Sequence, residues 1–304
     1  MYTLKQTLHD QKNLKELCAP RALKSSEIHF APNAFYGNSS IIKDYVGLPQ
    51  NYPLPVVVPH GATYSSTYVW EEEITSRPKV VWAWTERRAA IHHAKSKKIQ
   101  ELNAMPFVYL MHMLGKPKTK KQGTVFFLAD HSTEHIHGHT NYEAIITRLN
   151  KLPAKYQPVT VSLYFVDYNR LGKLFQDAGF KVVSPGHYYD PNYLYRFYHL
   201  YSQYKYATAN SILSGIIYLT ELGCPFFFLS DNIITKFTHD HLARMPSQLV
   251  IDTHKKRLGT VYGESYDKPT ELQIRTANHY LGKKYFKSPE QLRQDLHNAE
   301  KLLK

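Results

Sequence analysis

Four segments decide the fold: GTVFFLA (Gly123–Ala129), PVTVSLYF (Pro158–Phe165), KVVS (Lys181–Ser184) and PFFFLS (Pro225–Ser230). Each is a short β-branched or aromatic run, and most are opened or closed by glycine or proline. Between them lie stretches with helical spacing. NYEAIITRLNKL (Asn141–Leu152) places Ile145, Ile146, Leu149 and Leu152 on one face. DYNRLGKLFQDAGF (Asp167–Phe180) stops at Gly179, where a glycine readily takes the left-handed cap. A third helix is expected over Asn192–Tyr204, a brief strand at KYATA, and a fourth helix over Ser211–Leu222. Strands alternating with helices of this length predict βαβ units on a parallel sheet. Near-continuous apolar strands fit a sheet covered on both faces.

The first 120 or so residues carry weaker signals. PLPVVV (Pro53–Val58) and KVVWAW (Lys79–Trp84) read as buried strands, and RRAAIHHAKSKKIQEL (Arg87–Leu102) as one basic helix. GKPKTKKQ (Gly115–Gln122) reads as a linker. At the far end, Ser288-Pro289-Glu290-Gln291 combines an N-cap serine, a proline at the first helical position and a reciprocating glutamine. An apolar stripe of Leu292, Leu296, Ala299 and Leu303 follows and should dock on a domain. The expected division is residues 1–118, an N-terminal α/β domain; 119–250, a Rossmann-like domain; and 251–304, a segment ending in the docking helix.

Composition bounds the function. The chain has 304 residues, 43% hydrophobic and 21% charged, which excludes a disordered chain and a small disulfide-stapled module. Two cysteines, Cys18 and Cys224, make neither a disulfide framework nor a structural zinc site, so the chain reads as one of a reducing, cytoplasmic compartment. The most apolar region, Tyr206 to Ser230, is interrupted by Glu221, Gly223 and Pro225, so membrane contact is expected to be peripheral. The net charge of +13 is concentrated between Arg87 and Lys121, where Arg87, Arg88, Lys95, Lys97, Lys98, Lys116, Lys118, Lys120 and Lys121 face Glu101 alone. Such a patch attracts phosphates, anionic lipid or acidic polysaccharide. No RRM, KH, zinc-finger or helix-turn-helix signature accompanies it, so nucleic acid is not the expected partner.

Ligands on a parallel sheet bind beyond the carboxyl ends of its strands. That rule selects His60-Gly61-Ala62-Thr63, Asp130-His131-Ser132-Thr133, Pro185-Gly186-His187 and Thr208-Ala209-Asn210-Ser211. Asn210 and Ser211, with Ser214 and Gly215 one turn on, sit where a helix is expected to begin. They either cap it or, with small residues admitting a ligand to the backbone, hold a phosphate. His131, Ser132 and Thr133 either bind diphosphate oxygens or form a polar loop. The run His135, His137, Gly138, His139 lacks the fixed spacing of a zinc site and reads as a polar loop rather than a metal centre. His60 follows a strand directly. It is either a general base for a sugar hydroxyl or a hydrogen-bonded structural histidine. Glu86 could orient a partner or serve as an alternative base. The run Trp70-Glu71-Glu72-Glu73 reads as a solvated face.

Taken in order, FYGNSSIIKDYVGLPQNYPLPVVVPHG, KVVWAWTERRAAIHHAKSKKIQELNAMPFVYL, GTVFFLADHSTEHI, PVTVSLYFVD, GFKVVSPGH and YKYATANSILSGIIYLTELGCPFFFL resemble bacterial surface-polysaccharide glycosyltransferases over roughly Phe35 to Ser230. The resemblance implies a GT-B architecture, two Rossmann-like domains facing across a cleft, with residues 1–118 on the acceptor side and 119–250 binding the nucleotide sugar. It implies transfer of a sugar from a nucleotide-activated donor to a capsule or lipopolysaccharide glycan, without a metal or other cofactor. On that reading His60 deprotonates the acceptor and the anomeric centre inverts. His131, Ser132, Asn210, Ser211 and Ser214 hold the donor phosphates, and Gly186 and His187 lie against the nucleoside. The partners implied are a nucleotide sugar and a glycan or lipid-linked acceptor, at the inner face of the cytoplasmic membrane. Related transferases carry His-Pro where this chain has His131-Ser132, and paired serines where it has Asn210-Ser211, which leaves CMP-, UDP- and GDP-linked donors open. Two other readings stand beside this one: transfer of another group, such as a polyol phosphate, to the same glycan, and a non-catalytic polyanion-binding protein.

Overall fold

The computed structural model describes residues 2–62, 64, 69–129, 138–211, 213–229, 236–237, 258–264 and 266–303, with residues 138–139 and 236–237 described as backbone. Two parallel sheets organise them. The N-terminal sheet has three strands, β1 (Val56–Val57), β2 (Val80–Ala83) and β3 (Ile99–Leu102), in the order β1-β2-β3. A second sheet contains β4 (Thr124–Phe127), then β6 (Val159–Ser162), β7 (Lys181–Val183), β8 (Tyr206–Ala209) and β9 (Phe226–Phe228), in the order β7-β6-β4-β8-β9. Its pairs are all parallel, with Thr124 opposite both Val159 and Tyr206. Between β4 and β6 in sequence, β5 (Gly138–His139) pairs antiparallel with β10 (Lys236–Phe237). The chain thus forms the GT-B arrangement, two parallel α/β lobes facing across a crevice, with the first lobe reduced to three strands.

The helices of the second lobe follow the apolar spacing. One spans Tyr142–Asn150, capped by the Asn141 side chain and burying Ile145 and Leu149. The next spans Phe165–Asp177, and Gly179 beyond it takes φ +88°, as its position predicts. The third spans Tyr193–Tyr201. In the first lobe the expected basic helix is two elements. Residues Glu86–Lys95 are helical, but Ile99–Leu102 is the edge strand β3. IQEL has one β-branched residue and no buried position, so nothing in its pattern announces a strand; pairing with Val80–Ala83 creates it.

The chain ends cross between lobes. Leu14 and Leu17 pack with Phe126, Val161 and Val182 of the second sheet, and Asp10 pairs with the buried Arg196. In return, the C-terminal helix Pro289–Lys301 carries the capping box expected at Ser288 and Gln291, and buries Leu292, Leu296 and Ala299 against the first lobe. Tyr45 donates to the carbonyl of Lys287 at 2.8 Å. The expected boundary near residue 118 therefore separates the sheets but not the packed bodies. One continuous core runs from Val56 and Trp82 through Phe107 to Val125, Phe197 and Tyr218, with Phe107 stacked on Tyr218 at 4.3 Å.

Candidate active site

The strand order reverses between β4 and β8, and a crevice opens there beyond the carboxyl ends of the strands. Its cavity is about 450 Å³, within the range of small-molecule sites. The second lobe contributes Ala129 after β4, Leu163, Tyr164 and Asp167 after β6, Pro185 after β7, and Ser214 and Gly215 after β8. The first lobe contributes Tyr36, Asn38, His60, Gly61 and Ala62. His60 and Ser214 are thus brought to one cavity.

The joint between the lobes is tight. Ala62 N donates to Ser214 Oγ at 2.9 Å. Gly61 has φ +76°, and a Cβ there would stand 2.9 Å from the same oxygen, so the turn needs glycine for both its backbone and its neighbour. Gly215 opens the helix Gly215–Glu221, where a Cβ would meet Leu213 at 2.9 Å.

His60 is half-buried and ringed by aromatic side chains. Trp70 meets it edge-on at 4.7 Å, Phe35 at 5.5 Å, and Tyr36 lies 6.1 Å away. Burial, with the Arg88 guanidinium adding to it, pushes its pKa down to about 4. The imidazole is therefore neutral at neutral pH and able to accept a proton. Arg88 is itself buried and paired with Glu73 at 3.0 Å, beside His92.

Several expected residues lie elsewhere. The helix begins at Gly215 rather than Ser211, so Asn210 and Ser211 do not cap it. Asn210 Oδ1 instead accepts from Ala129 N at 2.7 Å, tying the ends of β8 and β4 together. Both residues are buried and neither lines the cavity. Gly186 faces the N-terminal segment: its φ is +96°, and a Cβ would meet Leu17 at 2.9 Å. His187 is 0% exposed, packed on Phe165 and stacked on Tyr188, and its Nδ1 accepts from Tyr189 N at 3.1 Å. Pro185, one residue before Gly186, is the member of this turn that reaches the cavity. Glu86 opens the helix Glu86–Lys95, pairs with Lys284 and lies outside the cavity. The hydrogen bonds from Lys284 and Tyr285 hold its carboxylate down at a pKa of about 2, which suits no general base. His131, Ser132, Thr133 and the run His135–His137 lie outside the described residues, as does Thr63.

The charged runs also divide. Glu73, expected on a solvated face, is buried with Arg88. Lys98 donates to Ser76 O and Oγ, and Lys121 donates to the carbonyl of Leu222, so neither belongs to a free basic patch. Lys116, Lys118 and Lys120 are exposed on an extended segment pinned by Thr119 Oγ1 donating to Ser202 O. Sequence reasoning missed Tyr36, Asn38, Tyr164 and Asp167. The signal for the first two was present in FYGNSS, a glycine followed by polar residues at a helix start. Asp167, in the first turn of its helix and paired with Arg170 at 3.0 Å, needed the strand end to be placed first.

Among the described residues no group of three or more His, Cys, Asp or Glu could hold a metal ion, and no helix is long and apolar enough to cross a membrane. No family model and no curated protein matches the sequence. Among solved structures, the chain aligns with UDP-GlcNAc 2-epimerase from Neisseria meningitidis bound to UDP-GlcNAc, at 14% identity and a TM-score of 0.36, over 99% of this chain and 89% of that one. Function therefore has to be sought in the crevice itself.

Proposed function

We infer that the chain is a glycosyltransferase that binds a nucleotide-activated sugar at the switch point of the five-stranded sheet and passes the sugar to a hydroxyl acceptor. The observation that carries this reading is the shared cavity of His60–Gly61 and Ser214–Gly215, on opposite lobes and in direct contact. Ala129 and Ser214–Gly215 face the donor, and His131, Ser132 and Thr133, which follow Ala129 in sequence, are assigned to its phosphates. His60 takes the acceptor hydroxyl proton as the acceptor oxygen bonds to the anomeric carbon and the carbon–oxygen bond to phosphate breaks, with inversion. A base with a pKa near 4 is weak, so proton transfer runs late, as the leaving phosphate departs. Neither a metal nor another cofactor enters this scheme. The acceptor is a capsule or lipopolysaccharide glycan at the inner face of the membrane, where Lys116, Lys118 and Lys120 meet anionic lipid.

Ligand-dependent melting with CMP, UDP, GDP and CDP tests the reading. One nucleotide should stabilise the protein by about 2.7 kcal/mol at a hundredfold excess over its Kd. A protein that ignores all four and responds only to polyanions would overturn it.

A further inference from the structure

We propose that Ser96 is an activated hydroxyl, a second reactive site that accepts an acyl group from small anionic donors of the acyl phosphate class, with His92 as its base and Glu73 orienting the imidazole.

Ser96 follows the helix Glu86–Lys95 and precedes β3, and Ser76 precedes β2. Both serines lie at the amino ends of parallel strands, whereas His60 follows the carboxyl end of β1. Ser96 does not line the crevice, so its chemistry is separate from the site described above.

The tautomer of His92 follows from its neighbours. Gln100 Nε2 donates to Lys98 O at 2.9 Å, which fixes the orientation of that amide, and the same nitrogen stands 3.1 Å from His92 Nδ1. Nδ1 must then accept, and the ring proton sits on Nε2. Burial, with Arg88 and Lys98 adding to it, lowers the pKa of the ring to about 4, so a second proton is absent at neutral pH. Ser96 Oγ, 2.9 Å from Nδ1, therefore donates its hydrogen to the imidazole. At the other end of the ring, Nε2 is buried without a hydrogen-bond partner and stands 3.6 Å from Glu73 Oε2. Glu73 is itself buried and held by Arg88 at 3.0 Å. Hydroxyl, neutral imidazole and carboxylate form a relay of the kind that makes a serine a nucleophile. Once Nδ1 takes the proton, the positive ring has a carboxylate beside the nitrogen that was unpartnered.

The surrounding charge selects an anionic donor. Ser96 is half-buried, and Lys95 and Lys97 on either side of it are exposed. Lys98 and Lys79 add to the same positive field, and Glu73 is already taken by Arg88. Such a field attracts a phosphate. Ser96 Oγ bonds to the acyl carbon as the bond from that carbon to the phosphate oxygen breaks. The hydroxyl proton passes to His92 Nδ1 and leaves on the inorganic phosphate. Lys98 is the rival nucleophile. Its Nζ donates to Ser76 O and Oγ at 2.6 and 2.8 Å, and burial, with Lys79 adding to it, brings its pKa down to about 8.

Incubation with acetyl phosphate, followed by intact-mass measurement and peptide mapping, tests the proposal. Wild type should gain one acetyl group that hydroxylamine removes, the mark of an ester, and mapping should place it on Ser96. Ser96→Ala should lose that ester and keep the nucleotide response. His92→Gln should slow the labelling about hundredfold; if that variant does not fold, the position mapped in wild type still decides. A serine that only caps its helix would keep the bond to His92 and take no ester. Absence of the ester, a hydroxylamine-stable acetyl on Lys98 in its place, an undiminished ester in Ser96→Ala, or equal labelling of a folded His92→Gln would overturn the proposal.

Discussion

Lowering the pH should progressively destabilise this protein between about pH 6.5 and pH 4, through two imidazoles held neutral by the fold. Burial pushes His187 from 6.5 to about 4, with Arg21 adding to it and Asp190 opposing, and His60 moves to the same value by burial and Arg88. Both folded-state values are depressed, so the unfolded chain binds protons that the folded chain refuses. Stability is therefore full above 6.5 and is lost as pH falls toward 4. At about pH 5 each histidine costs roughly 2 kcal/mol by linkage, so the pair removes about 4 kcal/mol. That is a large share of the ~5–15 kcal/mol that domains possess. His92 is left out of the sum although burial lowers it too, because Glu73 stands 3.6 Å from its Nε2 and would hold a proton there. Urea unfolding at a series of pH values gives the slope. His187→Asn, which keeps an acceptor for Tyr189 N, should lose about half of the pair's share of it. His60 and His187 resonances titrating near 6.5 in the folded protein, or an unchanged slope in His187→Asn, would refute the reasoning.

Four shorter predictions follow from other contacts. His60→Ala should abolish sugar transfer, measured by intact-mass detection of product, and leave the nucleotide-induced melting shift in place. In wild type the acid limb of the transfer rate should fall well below the ordinary histidine value, toward 4, and an acid limb near 6.5 would remove His60 as the base. Glu27→Ala strands the buried Lys43, which Glu27 pairs while also accepting from Leu54 N, and should cost about 3–5 kcal/mol in chemical unfolding. Replacing Lys116, Lys118 and Lys120 by Gln should weaken binding to anionic vesicles by about 1 kcal/mol per charge, with binding that falls as salt rises.

The second lobe was legible because its strands are buried on both faces and its helices carry a clear apolar stripe. There, local propensity and tertiary environment agree, so Ile145, Leu149 and the Gly179 cap fall where the spacing puts them. The first lobe was less so. β3 is a half-exposed edge strand that exists through its pairing with β2. The site divides along the same line. His60, Ser214 and Gly215 were visible because a strand end or small residues marked them. Asn210, Ser211 and His187 carry the same residue types but spend them on the fold, one tying β8 to β4 and another packed on Phe165. Residue type announces polar capacity; where that capacity is spent depends on neighbours distant in sequence.

The crossing of the chain ends bears on how the crevice works. Opening the lobes about the Gly115–Gln122 segment would have to break the bond from Met105 N to Leu281 O at 3.0 Å and that from Ala62 N to Ser214 Oγ. It would also expose the core that joins Trp82 to Phe197 through Phe107. Burying an aromatic or aliphatic side chain is worth about 1.5–3 kcal/mol, so separating a few such residues costs on the order of the whole binding free energy of a micromolar ligand. The crevice is therefore preformed at its floor. Two features of that floor are set by the backbone: the Tyr36 ring held in its left-handed turn, and the glycine at 61 that lets one lobe touch the other.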